Sequence, residues 1–338
     1  MLFLCIKGQI GGSLNPKEPY GLQMPMQKNA SQDPRAEVVE LRADLARRIA
    51  AHTHSEGPVP TAVPGLGLSR RSATTECYSA AYEPELVVFA QGEKRITVGG
   101  TSHVCDGSNF LVASIDLPVL GQFTKASKSE PFLALVLKLE MPAVREILSQ
   151  EEFLTPDASF GARGLAVGQT PPELLSTCCR LLDLLDTPRD IPFLGSLMQR
   201  EIVYRVLRTP LGRNLRAIAT LGDQSNRTAR AVGWLKANYS KPLRVEELAS
   251  VAQMGVSTLH HRFRSLTAMS PLQYQKRLRL HVARVRMLTE GLDAASAAFD
   301  VGYESASQFN REYRRFFGQP PMRDVKTRRL NGVTTGRD

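Results

Sequence analysis

The fold is decided by one stretch of the chain, Val301-Gly-Tyr-Glu-Ser-Ala-Ser-Gln-Phe309. Before it, the small residues from Ala294 to Phe299 predict a short helix, and the glycine of the stretch predicts a tight turn. Ser305 is a preferred N-cap residue, so a second helix is expected to begin there. The apolar face of that helix recurs at helical spacing, at Phe309, Tyr313 and Phe316. Two helices joined by such a turn form a helix-turn-helix unit.

The same outline occurs earlier in the chain. Val245 to Ala252 predicts a short helix, Met254-Gly-Val256 a turn, and Ser257 the cap of a following helix. Leu259 and Phe263 in that helix correspond to Phe309 and Tyr313, each shifted by 50 residues. The shift marks an internal repeat, so the sequence predicts two helix-turn-helix units.

A long helix is predicted between the two units. Ser270-Pro271 occupies the preferred cap and first-turn positions, and the helical pattern runs to Gly291, a typical terminating residue. The two units should therefore be joined by a rigid element.

Positive charge is concentrated in the same part of the chain. The net charge is +10, and the stretch from Arg227 to Asp338 has 20 Lys or Arg against 9 Asp or Glu. Residues 1–226 have 23 Lys or Arg against 24 Asp or Glu. A basic domain joined to a nearly neutral one indicates that one part binds a polyanion and the other has a different role.

The basic part resembles the DNA-binding domain of the AraC/XylS family of transcriptional regulators, over about Thr228 to Asp324. The resemblance is carried by Leu259-His-His-Arg-Phe263, Ser270-Pro271, Tyr274, Arg277-Leu278, Ala283, Val301 to Phe309, Arg311-Glu-Tyr313, Phe317-Gly318 and Pro320-Pro321. The chain departs from the family pattern at two positions. His261 stands where Arg is frequent, and Ala268 stands where Gly is common.

The resemblance implies which side chains meet double-stranded DNA. Base edges are expected to be contacted by Ser257, His260, His261, Ser307, Gln308 and Arg311. Phosphates are expected to be contacted by Arg262, Arg264, Arg314 and Arg315. A recognition helix fits the major groove, which is about 12 Å wide, and two held by one rigid helix can enter successive turns roughly 34 Å apart. Arg311 is the residue expected to contact a guanine.

The pattern changes between Leu66 and Leu139 to short apolar runs separated by turn residues. Strands are predicted at Glu85 to Gln91, Arg95 to Val98, Phe110 to Ser114, Leu117 to Phe123 and Phe132 to Leu139. Turn residues such as Gly92, Gly99-Gly100 and Asp106-Gly107 favour hairpins, and hence an antiparallel sandwich or small barrel. Helices are predicted at 36–51, 142–150, 172–185 and 191–207, with a short one near Leu215.

This half resembles the N-terminal domain of a subgroup of the same family, in which a cupin-like barrel is joined to the DNA-binding half. Tyr82-Glu-Pro-Glu85 and Val87 to Lys94 carry the resemblance, which implies a domain that senses a small-molecule effector and can form a homodimer. The expected fold class is α+β, with an N-terminal cupin-like β-barrel or sandwich with helices and a C-terminal all-α domain. The predicted boundaries are a disordered tail at 1–35, the sensor domain at 36–208, a linker at 209–226 and the DNA-binding domain at 227–330.

Enzymatic function is not expected. A cupin enzyme would need clustered metal ligands, and the barrel region offers only His103. His103 and Cys105 share one strand face, where a structural role is favoured over metal binding or a reactive thiol. Cys178 and Cys179 are expected to fill the core. The cysteines lack the spacing of a zinc site, as a methyl-accepting repair protein would need. We predict no catalytic residues, no metal and no cofactor.

Export and membrane insertion are not expected either. The apolar start, Met1 to Ile6, is too short for a signal peptide, and no run approaches the roughly 18 apolar residues of a membrane span. The sequence therefore predicts a cytoplasmic, sequence-specific transcription factor that responds to a small molecule, with promoter DNA and RNA polymerase as partners. An architectural or repair-linked DNA-binding protein, or a cupin enzyme fused to a DNA-binding domain, remain alternatives at this point.

Overall fold

The computed structural model describes residues 34–150 and 163–330. The tail predicted at 1–35 therefore lies outside the described residues, except for its last two positions. The first helix, α1, covers Pro34–Ala51 and confirms the helix predicted at 36–51. It is amphipathic, since Leu45 and Ile49 are fully buried while the opposite side faces solvent.

The strands of the described residues form two antiparallel sheets. Their bounds are β1 Gly57–Pro60, β2 Leu66–Arg71, β3 Tyr78–Tyr82, β4 Glu85–Gln91, β5 Glu93–Val98, β6 Thr101–Asp106, β7 Asn109–Ala113, β8 Leu117–Lys125, β9 Phe132–Lys138 and β10 Leu165–Gln169. One sheet has the order β1-β2-β9-β4-β7-β10, and the other has the order β3-β8-β5-β6. All five predicted strands are present, and the expected sandwich is confirmed.

Strand β4 lies at the centre of the larger sheet and is buried on both faces. Leu86 and Val88 face one hydrophobic core, which the sheet shares with helices. Val87 and Phe89 face the other core, between the sheets. Burial on both faces explains why β4 is a continuous apolar run in the sequence, without the alternation of a half-exposed strand.

Helices cover the outer face of the larger sheet. They are α2 Met141–Gln150, α3 Pro172–Asp183 and α4 Ile191–Arg208, close to the predicted bounds. Helix α1 packs against β4 and β9, and α3 packs between α1 and α4. Cys178 and Cys179 of α3 are buried in this layer, as expected for core residues.

The segment predicted as a linker, 209–226, contains a packed helix. Helix α5 covers Gly212–Ala219. Its Leu215 lies in the core of the helical layer, while Ile218 lies in the core between the sheets. Helix α6, Gln224–Ala237, follows at once, and the Asp223 carboxylate caps it by accepting a hydrogen bond from the Ser225 backbone N–H at 2.6 Å.

The C-terminal part is entirely helical within the described residues. After α6 it contains α7 Val245–Ala252, α8 Val256–Thr267, α9 Pro271–Thr289, α10 Ala294–Asp300, α11 Ala306–Phe317 and α12 Pro321–Leu330. No helix in the described ranges is long and apolar enough to cross a membrane.

The core between the sheets continues into the helical part. It joins strand residues such as Ile96 to Leu248 of α7 and Phe263 of α8. Polar contacts reinforce this junction: the Tyr274 hydroxyl donates to the Asp116 carbonyl at 2.9 Å, and the Lys236 ammonium lies 2.6 Å from the Asp116 carboxylate. The first helix-turn-helix unit is therefore packed against the sheets.

Backbone approaches backbone at the tip of the β5–β6 hairpin. Gly99 has a φ of +58°, and a Cβ atom added there would overlap the carbonyl oxygen of Ala268, just after α8. Only glycine fits this contact without displacing the chain. Its neighbour Gly100, with a φ of +106°, has nothing within 4 Å of an added Cβ.

We expect Gly99→Ala to loosen the contact between the hairpin and α8. Gly100→Ala is the matched control, because it also places a methyl group at positive φ but meets no neighbouring atom. The overlap should lower the free energy of unfolding by about 1 to 3 kcal/mol more in Gly99→Ala than in the control. Urea unfolding followed by the fluorescence of Trp234, the single tryptophan of the chain, measures the difference. Equal losses in the two variants would contradict the contact.

Candidate nucleic-acid interface

The first helix-turn-helix unit consists of α7 and α8. Helix α7 carries Glu246 and Glu247 in its first turn, where their charges suit the positive end of the helix dipole. Gln253, at a φ of +53°, ends α7 and starts the turn. The prediction that Ser257 caps α8 was wrong: Gly255 is the N-cap, with no side-chain hydrogen bond, and Ser257 is the second residue of the helix. Gly255 has the extended backbone of an N-cap residue, so the helix begins at Val256, one residue before Ser257.

Helix α8 has one buried face and one exposed face. Leu259, Phe263 and Leu266 are buried, and the Phe263 ring meets Tyr274 of α9 edge to face at 5.6 Å between centroids. The expected DNA contacts lie on the other side: Ser257, His260, His261 and Arg264 are exposed, and Arg262 is half-buried. Packing of its buried face thus fixes the helix, while its exposed face presents polar side chains to solvent.

Helix α9 connects the two units as predicted. The Ser270 hydroxyl accepts from the Gln273 backbone N–H at 3.2 Å, while the Gln273 side chain accepts from the Ser270 backbone N–H at 3.0 Å. This reciprocal capping box, with Pro271 in the first turn, fixes the start of the helix.

The second unit consists of α10 and α11. Gly302 lies in the turn with a φ of +90°, and an added Cβ would overlap the Ser240 carbonyl oxygen, so this position requires glycine. Ser305 caps α11 by accepting from the Gln308 backbone N–H at 3.4 Å, which confirms the predicted start. Gly318, at a φ of +82°, ends the helix.

Helix α11 is attached by aromatic packing. Phe309 and Tyr313 are fully buried, with ring centroids 5.4 Å apart, whereas Phe316 is half-buried. The residues expected to contact DNA all lie on the exposed face, at Ser307, Gln308, Arg311, Arg314 and Arg315. Removing one of these side chains would leave the aromatic core intact.

A buried ion pair that the sequence reasoning missed joins the second unit to α9. Arg284 of α9 donates two hydrogen bonds to the Asp324 carboxylate, both at 2.7 Å. The Tyr313 hydroxyl of α11 donates to the same carboxylate at 2.7 Å. Arg284 and Asp324 are 40 residues apart, so no local sequence pattern indicates the pair. One carboxylate thus holds three helices together.

Arg279 is a second attachment that the sequence did not reveal. Its guanidinium donates to the carbonyl of Tyr239 at 2.6 Å, to that of Lys241 at 2.8 Å and to that of Gly302 at 2.8 Å. It therefore ties α9 both to the loop before α7 and to the turn of the second unit.

His281 on α9 is a packing residue that is almost fully buried. Its ring packs against Phe316 and Phe317, with centroids 5.8 and 5.9 Å away, and is hydrogen-bonded to the Ser79 hydroxyl of β3. Burial, and then the charges of neighbouring arginines, lower the pKa of His281 to about 3, so the ring is neutral.

The N-terminal part shows no metal site among the described residues, since no three His, Cys, Asp or Glu side chains come together there. Cys105 on β6 is fully buried, and burial raises its pKa to about 12, which makes it a poor nucleophile at neutral pH. These features suit the structural role favoured for Cys105.

Comparisons with known proteins bear on both halves. The family described as the N-terminus of AraC-type transcriptional regulators matches residues 62–214, and a helix-turn-helix domain family matches residues 248–326. The transcriptional activator RhaS of Yersinia pestis (strain Pestoides F) is 31% identical over 105 residues, which are 31% of this chain and 38% of RhaS. RhaS of Pectobacterium carotovorum is 30% identical over 100 residues, 30% of this chain and 36% of that protein. The similarity thus spans little more than a third of these relatives.

Solved structures share the arrangement of both halves. ToxT from Vibrio cholerae superimposes with a TM-score of 0.54 at 11% identity, over 77% of this chain and 97% of that one. A second ToxT structure, bound to (E)-4-(8-methylnaphthalen-1-yl)but-3-enoic acid, has a TM-score of 0.53 at 12% identity, over 77% and 97% of the two chains. At this identity the likeness shows the fold alone.

Asp324→Asn should destabilise the second unit, because it leaves Arg284 buried beside a neutral partner. Breaking a buried ion pair of this kind costs about 3 to 5 kcal/mol. Glu290→Gln is the control: its pair with Arg286 is partly exposed, and such pairs contribute about 1 kcal/mol or less. Chemical unfolding of both variants, with circular dichroism as the signal, measures the difference. A loss in Asp324→Asn no larger than in the control would contradict the role of the pair.

The same pair predicts a pH dependence of stability. Burial alone would raise the pKa of Asp324, but the hydrogen bonds and charge of Arg284 outweigh it and hold that pKa below its usual range. The pair's contribution is therefore complete above the unfolded-state pKa of about 3.9 and is lost as the pH falls below it. Asp324→Asn should lack this part of the acid sensitivity.

Proposed function

We propose that this chain, which belongs to the AraC/XylS family of transcriptional regulators, binds a specific DNA sequence and regulates transcription in response to a small-molecule effector. The observation that carries the proposal is the pair of helix-turn-helix units attached to one rigid helix, each with a polar exposed face. The excess of positive charge in the same part of the chain supports it.

Sequence recognition is assigned to six residues of the two exposed faces: Ser257, His260, His261, Ser307, Gln308 and Arg311. Each is exposed on α8 or α11, and the buried face of its helix is fixed by core packing. Preorganised side chains of this kind can read base edges in the major groove. Arg262, Arg264, Arg314 and Arg315 are proposed to contact phosphates, which fixes the position of the protein on DNA without reading its sequence.

The N-terminal domain is proposed to sense the effector and to contribute to assembly. Its sandwich shares a continuous core with the first unit, so a change within it can reach α8. Phe193 and Leu197 lie one turn apart on α4 and are exposed, an apolar pair that a second copy of the chain would cover. RNA polymerase is a further proposed partner, and the bacterial cytoplasm, where promoter DNA lies, is the proposed location.

Selection of binding sites from random DNA tests the proposal as a whole. A transcription factor should enrich one operator sequence, and binding should weaken steeply with added salt, because phosphate contacts release counterions. An architectural DNA-binding protein would enrich no sequence. No enzymatic step is proposed.

Arg311→Ala should leave the fold intact and weaken binding to the selected operator. Arg311 is exposed on α11, and a lost Arg–guanine contact costs roughly 1 to 3 kcal/mol of discrimination. Arg189→Ala is the control, since it removes the same charge from an exposed site in the N-terminal domain. Fluorescence anisotropy with the operator and with scrambled DNA gives the two affinities. If Arg311→Ala weakens binding equally on every sequence, Arg311 contacts only phosphate.

An insertion of about five base pairs between the two halves of the operator should be more harmful than Arg311→Ala. Half a helical turn moves one recognition site to the opposite face of the DNA, and α9 cannot bend to follow it. An insertion of about ten base pairs controls for added length alone. If the shorter insertion is tolerated, the two units do not bind as one rigid body.

A further inference from the structure

Three side chains donate hydrogen bonds to the carboxylate of Glu312 on α11. The Tyr303 hydroxyl donates to Oε2 at 2.8 Å, and the Lys276 ammonium of α9 donates to Oε1 at 2.9 Å. The Gln308 side-chain amide, one helical turn earlier, donates to the same Oε1 at 3.3 Å. Glu312 therefore contacts one of the six residues to which base reading is assigned.

The Glu312 carboxylate is held in one place and is ionised. The Tyr303 ring that binds it is itself fixed, because it is buried and packs edge to face on Phe309 at 5.3 Å between centroids. Burial alone would raise the pKa of Glu312, but the hydrogen bonds from Lys276 and Tyr303 outweigh it and lower that pKa. The charge of Lys276 also offsets the repulsion that a carboxylate meets near DNA phosphates. Glu312 is therefore a fixed acceptor at neutral pH.

This acceptor determines which way the Gln308 amide faces. An ionised carboxylate only accepts hydrogen bonds, so the NH2 group of the amide must point to Glu312 and the carbonyl oxygen must point away from it. Side chains four residues apart on a helix are neighbours, which keeps the two groups within reach. The second N–H and the carbonyl oxygen of Gln308 are then available to DNA, and the side chain is exposed.

One donor beside one acceptor is the pattern that adenine matches. In the major groove adenine presents N7 as an acceptor and its N6 amino group as a donor, so an amide can form both bonds at once. Guanine presents two acceptors, N7 and O6. An amide needs both of its N–H groups to bind both of them, and Glu312 already occupies one N–H of Gln308. The contact with Glu312 therefore favours adenine over guanine.

The first helix-turn-helix unit cannot form this pair. By the shift of 50 residues, Glu312 corresponds to Arg262, and Gln308 corresponds to Thr258. The arginine side chain has no acceptor, and the threonine side chain has no amide. The orientation of a base-reading amide by a carboxylate is thus specific to the second unit.

We propose that Glu312 is a positioning residue that orients the Gln308 amide, so that the second unit selects adenine at the base that Gln308 reads. The inference deepens the sequence recognition proposed above and rests on it, because Gln308 must itself contact a base. Glu312 acts on DNA only through Gln308.

The base preference of the unchanged chain is the first test. Single-base variants of the selected operator are compared in the full chain and in Gln308→Ala, and the position whose effect disappears in Gln308→Ala is the one that Gln308 reads. Fluorescence anisotropy should show at least about tenfold tighter binding with adenine than with guanine there, the size of one bidentate contact. A preference for guanine, or no position that depends on Gln308, would overturn the proposal without any variant of Glu312.

Variants of Glu312 test the positioning itself. Glu312→Ala should reduce the preference for adenine over guanine at least about fivefold, because both N–H groups of Gln308 become available. The preference at the position read by Arg311 should not change. Glu312→Gln should retain most of the adenine preference, because its carbonyl oxygen, held by Lys276, still accepts from Gln308. Glu304→Ala is the control: it removes an exposed carboxylate just before α11 and should change the affinity equally for all four bases.

A purely structural role of Glu312 would give a different result. Glu312→Ala would then weaken binding by the same factor for all four bases and would lower the unfolding temperature measured by circular dichroism. That combination would overturn the proposal.

The same measurements separate this proposal from the proposed function. If one operator is selected but Glu312→Ala keeps the full preference for adenine, the assignment to Glu312 fails and the transcription factor remains. If no operator is selected, the proposed function fails, and base reading by Gln308 fails with it.

Discussion

Both recognition helices depend on one element, α9, for their positions. Its first half holds the first unit through Tyr274, whose ring packs against Phe263. Its second half holds the second unit through Arg284, which binds the carboxylate shared with Tyr313. These two attachments are ten residues apart, about 15 Å along a helix that does not bend easily. The spacing of the two exposed faces is thus a property of a single helix, and neither unit needs to contact the other directly.

The two units are nevertheless stabilised in different ways. The first shares its core with the sheets, so part of its apolar surface is covered by the N-terminal domain. The second has a core of its own, built from Phe309, Tyr313 and their neighbours. A change in the N-terminal domain therefore alters the surroundings of α8 first. It can reach α11 through α9, where the His281 ring meets Ser79 of β3.

Features set by neighbouring residues could be predicted from the sequence, and features set by distant residues could not. The helix caps at Ser270 and Ser305 and the apolar strand β4 could be predicted, because capping and the apolar pattern of a buried strand depend on only a few neighbouring residues. Two contacts join segments that are far apart in the chain: that of Arg284 with Asp324 and that of Gly99 with Ala268. A single sequence does not show which distant residues come into contact. The short helix predicted near Leu215 is present as α5, but the sequence places it in a linker because Pro210 and Gly212 are typical of loops. Its burial is imposed by the two cores around it.

Ala268, where the family commonly has glycine, forms a contact between the first helix-turn-helix unit and the N-terminal domain. It adopts a φ of +59°, a conformation that disfavours every side chain and explains why glycine is common at this position in the family it resembles. A non-glycine residue there costs on the order of 1 kcal/mol, which the fold must offset elsewhere. The methyl group of Ala268 lies against Gly99, a residue that has no side chain. Because Gly99 has no side chain, there is room for the Ala268 methyl group at this contact. The strained end of α8 is therefore held in place by the hairpin of the N-terminal domain. Conformational strain in the first unit is therefore linked to whether the two domains are docked.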